Sequence, residues 1–174
     1  MAGRGEFGKH LLGFADNHDV TRTASILQNP RHLPLIYALL FGMPGIPCLY
    51  YGSEWGARGE KREGDDALRP AFDAPEWNEL TDWITALAKA HRGSKALCYG
   101  DFRQVVLTNR QCIWERACEG ERVLVAVNID DQPYTAHFDA KCGRAVDLIT
   151  GAPHDFGGGS ELPPYSAFFW QCER

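Results

Sequence analysis

Close to the start of the chain an apolar run, His10-Leu11-Leu12-Gly13, leads into Phe14-Ala15-Asp16-Asn17-His18-Asp19-Val20-Thr21-Arg22. Asn17, His18 and Asp19 put a carboxylate beside an imidazole, and Arg22 follows one short turn later. This set suits sugar chemistry: the side chains can hydrogen-bond hydroxyls, and a carboxylate can stabilise positive charge developing at an anomeric carbon. An Asx-turn or a helix N-cap explains the same Asn and Asp after a strand without any function. A second polar cluster, Gly52-Ser53-Glu54-Trp55-Gly56, also ends an apolar run. Further on, Asp65 and Arg69 stand four residues apart, a spacing that by itself makes an ordinary surface salt bridge worth ~0–1 kcal/mol.

The elements that must position these groups are legible as patterns. Residues 10–15 read as a short, continuously apolar strand, the pattern of a parallel sheet buried on both faces. Asn29-Pro30 opens a helix whose apolar content runs from Leu33 to Phe41, with Gly42 and Pro44-Gly45 as its stop. Residues 46–51 form a second strand, closed by Gly52 and followed by a long Gly- and charge-rich loop. From Trp77 to His91, Leu80, Trp83, Ile84, Leu87 and Ala88 recur at helical spacing, and Gly93 is the stop. After it come short β-rich runs ending in Ser166 to Cys172, separated by turn clusters, which predict an antiparallel sandwich or barrel. The expected division is 1–93 and 94–174. Two parallel strands with their helices leave a broad apolar surface bare, so further strands are expected upstream.

The bulk properties exclude several classes. A chain of 174 residues with 44% hydrophobic and 24% charged residues is that of a globular protein. A formal net charge of −5 argues against a nucleic-acid partner, and Lys61-Arg62 reads as part of a solvated loop. No apolar run approaches the length of a membrane span, so no membrane is expected. The six cysteines show no Cys-x-x-Cys pair and no zinc-type His spacing, so no metal is expected and a reducing compartment is favoured.

The two strand-end segments together closely resemble the last two βα units of the α-amylase family, glycoside hydrolase family thirteen. Phe14, Asn17, His18, Asp19 and Arg22 match its Phe-x-x-Asn-His-Asp-x-x-Arg strand end. Pro44, Gly45, Pro47, Tyr50, Tyr51, Gly52 and Glu54 match its Pro-Gly-x-Pro-x-x-Tyr-Tyr-Gly-x-Glu strand. The resemblance implies an α/β plus all-β fold: the last two βα units of a (β/α)8 barrel, followed by an antiparallel Greek-key β-sandwich. It implies a retaining α-glucan hydrolase or transglycosylase acting on α-1,4 bonds of starch-derived oligosaccharides, with α-glucan or maltooligosaccharide as substrate and no cofactor. Asp19 resembles the family's carboxylate that stabilises the transition state. His18 resembles the histidine that binds the same sugar. Asn17 and Arg22 join the substrate-binding set, Arg22 with a structural role as the equal alternative. Asp65 and Arg69 resemble an Asp-x-x-x-Arg pair that holds a more distant glucose in cyclodextrin-forming and cyclomaltodextrin-cleaving relatives, making cyclomaltodextrinase- or neopullulanase-like enzymes the nearest type. Glu54 reads as a structural anchor, Tyr50 and Tyr51 as core, and Trp55 and Phe72 as either sugar platforms or rim packing.

Retaining hydrolysis needs a nucleophile and a general acid about 5–5.5 Å apart. The family carries these on earlier strands, in segments that this sequence does not contain. The chain, opening with Met1-Ala2-Gly3-Arg4-Gly5, is therefore expected to start just before the penultimate strand and to be inactive alone. It is expected to self-associate or to pair with the missing N-terminal barrel portion. A non-catalytic carbohydrate-binding module and a purely structural capping module are the alternative readings. A cytoplasmic location is expected, although a secreted enzyme can share this half.

Overall fold

The computed structural model describes residues 11–173. Met1 to Gly5 and His10, on which part of the reading above falls, lie outside them. Strand β1 (Leu12–Phe14) and strand β2 (Ile46–Cys48) pair in parallel, Leu12 opposite Ile46 and Phe14 opposite Cys48. A four-residue helix α1 (Thr23–Ile26) and the long helix α2 (Leu33–Gly42) lie between them, giving the expected βαβ order. Asn29 Oδ1 accepts from Arg31 N at 3.0 Å, capping a 3-10 turn over Pro30–His32 that leads into α2. α2 ends at Gly42 because Met43 is extended ahead of Pro44.

The Gly- and charge-rich stretch is more ordered than its composition suggests. It contains 3-10 turns at Ser53–Trp55 and Lys61–Glu63 and a short helix α3 (Asp65–Leu68). Helix α4 (Glu79–Gly93) follows, opened by a capping box in which Asn78 Oδ1 accepts from Leu80 N and Thr81 N at 3.0 and 3.2 Å. A further helix, α5 (Lys95–Tyr99), stands where the β-rich part was expected to begin. Ser94 Oγ caps it by accepting from Leu97 N at 3.1 Å.

The rest is antiparallel. Strands β3 (Asp101–Leu107), β4 (Gln111–Cys118), β5 (Glu121–Asn128), β7 (Arg144–Asp147), β8 (Pro153–Asp155) and β10 (Ser166–Cys172) form one six-stranded sheet in the order β3-β4-β5-β10-β7-β8. Strands β6 (Tyr134–Ala136) and β9 (Ser160–Leu162) form a separate pair. β5 sits centrally and is buried on both faces. Val123, Val125 and Val127 join Trp114 and Phe169 in a core shared with Leu35, Phe41, Ile84, Leu87 and Leu97 of the helices. Leu124 and Ala126 pack with Ile113, Ala145 and Trp170 on the side that β6 and β9 cover through Ala136 and Leu162.

The helical and β-rich parts are bolted together at one carbonyl. Gly42 O at the end of α2 accepts from Trp114 Nε1 at 3.0 Å and from buried Arg116 at 3.1 Å, and Arg116 also reaches Gly100 O at 3.0 Å. These donors satisfy carbonyls that a helix end leaves free. On the opposite side, β1 and β2 are not buried on both faces as their apolar pattern predicts: Leu12 is 64% exposed, Phe14 51% and Ile46 49%. Gly13 and Pro47, between them, are half-buried. No helix among the described residues is long and apolar enough to cross a membrane.

Candidate active site

The polar cluster at the end of β1 is built in two tiers, one buried and one exposed. In the lower tier, Asp16 Oδ2 accepts from Thr23 N at 2.7 Å and Asp16 Oδ1 accepts from Ser53 Oγ at 2.7 Å, so one buried carboxylate joins the loops that follow β1 and β2. Arg22 crosses the same junction. Its NH1 donates to Tyr51 O at 2.6 Å and to Ser53 Oγ at 3.1 Å, and its NH2 donates to Leu68 O at 2.9 Å. The guanidinium lies 4.2 Å from the centre of the Tyr50 ring and 5.3 Å from that of Tyr51, a cation–π arrangement that favours a desolvated arginine. Arg22, expected among the substrate-binding residues, is fully buried. It fastens three chain segments beneath the site, because a long side chain with a planar fork of donors can span loops whose carbonyls lack partners.

Backbone contacts complete the tie. Arg22 N donates to Gly59 O at 2.9 Å, Gly59 N to Ser25 Oγ at 2.9 Å and Lys61 N to Thr21 Oγ1 at 3.0 Å. A side chain at Gly59 would place its Cβ 2.2 Å from Ala67 O, so only glycine lets the loop pass α3. Tyr37 OH donates to Ser53 O at 3.1 Å, and burial, with the Asp16 carboxylate nearby, pushes that phenol well above its usual range.

The upper tier is exposed. Asn17 Oδ1 accepts from Asp19 N at 2.8 Å, an Asx-turn, so the local structural reading of Asn17 holds and the turn also aims Asp19 outward. Asp19 Oδ2 meets His18 Nε2 at 3.1 Å, and Asp19 Oδ1 meets Arg69 NH2 at 3.4 Å. Arg69 reaches Asp65 Oδ2 at 3.8 Å, and Lys61 Nζ donates to Asp65 Oδ1 at 2.6 Å. The Lys61 ammonium holds the Asp65 carboxyl below the usual carboxylate range, with Arg69 and His18 adding to the effect. The pairs expected from distant parts of the sequence thus converge on one surface in the order His18, Asp19, Arg69, Asp65, Lys61. Such a surface presents a carboxylate and a planar guanidinium side by side, able to accept from and donate to neighbouring hydroxyls.

Asp16, Ser53 and Lys61 belong to the arrangement and were missed as functional positions. Asp16 was a single polar residue at the end of an apolar run, and Lys61 gave only its four-residue spacing to Asp65 as a signal. Glu54 anchors the last loop through its main chain, its carbonyl accepting from Thr81 Oγ1 at 3.0 Å. Its Oε2 is buried with no hydrogen-bond partner among the described residues. Tyr51 is exposed and donates to Pro70 O at 3.0 Å, whereas Tyr50 lies between Arg22 and His18. Phe72 packs edge-on against Trp55 and Tyr51, filling the rim over Gly52. Among the described residues no group of three His, Cys, Asp or Glu is arranged to hold a metal ion.

Residues 8–116 match the family model for the α-amylase catalytic domain. A cyclomaltodextrin glucanotransferase of Niallia circulans is 30% identical over 146 residues, 84% of this chain and 20% of that protein. An α-amylase of the same organism is 30% identical over 115 residues, 66% of this chain and 21% of its own length. The crystal structure of an Anoxybacillus α-amylase superposes with a TM-score of 0.83 at 26% identity, covering 94% of this chain and 38% of that one. The chain belongs to the α-amylase family of glycoside hydrolases, whose catalytic domain is a (β/α)8 barrel, and it spans about a fifth of the length of these curated relatives.

Proposed function

We propose that this chain is the C-terminal portion of a retaining α-glucan hydrolase or transglycosylase acting on α-1,4 bonds of starch-derived oligosaccharides. Residues 1–93 supply the last two βα units of the barrel and residues 94–174 an antiparallel sandwich of Greek-key type. The observation that carries the reading is Asp19, exposed at a parallel strand's C-terminal end between His18 at 3.1 Å and Arg69 at 3.4 Å. In parallel α/β folds this end of the strand is where substrates are met.

In the proposed mechanism Asp19 accepts hydrogen bonds from hydroxyls of the sugar being attacked, and its charge stabilises the oxocarbenium-like transition state. His18 donates to the same ring, Asn17 fixes the turn that aims Asp19, and Arg69 with Asp65 contacts a more distant glucose. Arg22 and Asp16 hold the two loops in register. The nucleophile and general acid of the double displacement belong to earlier barrel strands, so the chain alone does not turn over α-glucan. The exposed Leu12, Phe14 and Ile46, and Glu54 Oε2, buried with no partner among the described residues, support docking of those strands against β1 and β2. The six free thiols favour a cytoplasmic maltodextrin enzyme.

Titration of the isotope-labelled chain with maltoheptaose, followed by NMR, tests the site. Shifts clustering at residues 17–22 and 65–69, lost in Asp19→Ala, are expected. Shifts confined to the β-rich part would move sugar binding to the sandwich and overturn this assignment.

A further inference from the structure

Arg69 is held inside a closed ring of hydrogen bonds. The buried Arg22 guanidinium donates to Tyr51 O at 2.6 Å and to Leu68 O at 2.9 Å. Tyr51 OH in turn donates to Pro70 O at 3.0 Å. The carbonyls on either side of Arg69 are therefore both taken, one by Arg22 and the other by Tyr51. Arg69 N closes the last turn of α3, donating to Asp65 O at 3.1 Å and Asp66 O at 3.2 Å. From Ala71 to Asn78 only Phe72 is half-buried and the rest are exposed, so the Tyr51 hydroxyl grips the chain just before an exposed stretch.

The Arg69 side chain itself is loosely held. Its guanidinium lies between two carboxylates and is tight on neither, with Asp19 at 3.4 Å and Asp65 at 3.8 Å. Lys61 already matches the Asp65 charge at 2.6 Å. Long contacts between exposed ions contribute little, and a side chain as rich in rotamers as arginine loses much freedom when fixed. Where the guanidinium can reach is thus set by the main chain that carries it. Tyr51, by contrast, is braced on several sides. Its ring meets Tyr50 edge-on at 4.7 Å and Phe72 edge-on at 5.8 Å, and the Arg22 guanidinium lies 5.3 Å from its centre.

We propose that Tyr51 is a positioning residue for Arg69: its hydroxyl, acting through Pro70 O, fixes the main chain from which Arg69 reaches the more distant glucose, and so sets how strongly longer maltooligosaccharides are preferred over short ones. The role rests on the sugar site proposed above. A sugar that occupies only the Asp19 and His18 end of the surface does not call on Tyr51, whereas one long enough to meet Arg69 does. Tyr51→Phe removes the hydroxyl and keeps the ring with its contacts to Tyr50, Phe72 and Arg22, so it isolates the bond to Pro70.

The test is NMR titration of the isotope-labelled chain with maltose and with maltoheptaose, in the unaltered protein, Tyr51→Phe, Arg69→Ala and the double variant. Tyr51→Phe is expected to weaken maltoheptaose binding by about two- to tenfold, the range that loss of one neutral hydrogen bond gives, and to leave maltose binding unchanged. In the Arg69→Ala background the same change should cost nothing further, because the two residues act as one unit. Without sugar, the heteronuclear NOE of the Leu68, Arg69 and Ala71 amides should fall in Tyr51→Phe. Equal weakening of both sugars, an additive loss in the double variant, or unchanged amide values would overturn the proposal. Binding of neither sugar by the unaltered chain would overturn the sugar reading, and the amide values then decide alone whether Tyr51 holds Arg69.

Discussion

Asp19 stands exposed because the residues before and after it are tied down. Asp16 and Arg22 are buried and bonded to the loop that follows β2, leaving the short arc between them to project. Arg22→Met strands the carbonyls of Tyr51 and Leu68 and should lower stability by about 2–3 kcal/mol, read as a shifted denaturation midpoint. Asp19→Asn, at an exposed position with no packing to lose, should leave that midpoint within about 0.5 kcal/mol. In the intact enzyme the same change should lower kcat on the order of 10²–10³-fold, the loss seen when one transition-state group is removed. Asn17, His18 and Asp19 were legible because consecutive polar residues after an apolar run are conspicuous. Arg22 was legible with a structural role as one of two equal readings, and its burial decides for that role, which an arginine in a polar loop does not announce. Asp16 and Ser53 were invisible because only the folded chain brings their carboxylate and hydroxyl together.

Among the elements, α4 and the end of α2 decide how the helical part meets the sheet. Asn78→Ala removes the side-chain acceptor that caps α4 and should cost about 1 kcal/mol, measured by chemical denaturation. Gly42→Ala would set a Cβ 2.8 Å from the Trp114 ring and 3.0 Å from Val125. That overpacking should cost about 1–3 kcal/mol and blue- or red-shift the tryptophan fluorescence.

The same junction carries a pH dependence. His91 Nδ1 bonds Phe41 O at 2.9 Å, and burial, with Arg116 nearby, depresses its pKa. Burial likewise depresses that of His154, stacked on Trp170. A depressed histidine pKa means that the unfolded state takes up the proton first. Stability is therefore full above the unfolded value of about 6.5 and falls as pH drops below it toward the folded value. Thermal midpoints should decline between pH 7 and 5, and His91→Gln should flatten the decline.

The helices α2 and α4 and the long strands were legible from period and caps. The five-residue α5 was not, because Ala96, Leu97 and Cys98 read equally well as a strand start. Strands β8 and β9 have three residues each and flank a glycine run, so their pairing depends on β7 and β6 rather than on local pattern.

At the scale of the whole molecule, a continuous core joins α2, α4 and α5 to one face of the sheet, while β1 and β2 remain uncovered on the other side. Exposed apolar strands with open edges associate. The isolated chain should therefore form dimers or larger species by light scattering as concentration rises, and Phe14→Lys with Ile46→Lys should suppress them.

The central claim is that this chain holds one member of a catalytic carboxylate set and needs the others from outside itself. Reducing-sugar release from maltoheptaose by the purified chain, measured beside its Asp19→Ala variant, tests it most directly. The account requires no release from either protein. Release by the unaltered chain that disappears in Asp19→Ala would mean that a nucleophile and an acid lie within these residues, and would contradict it.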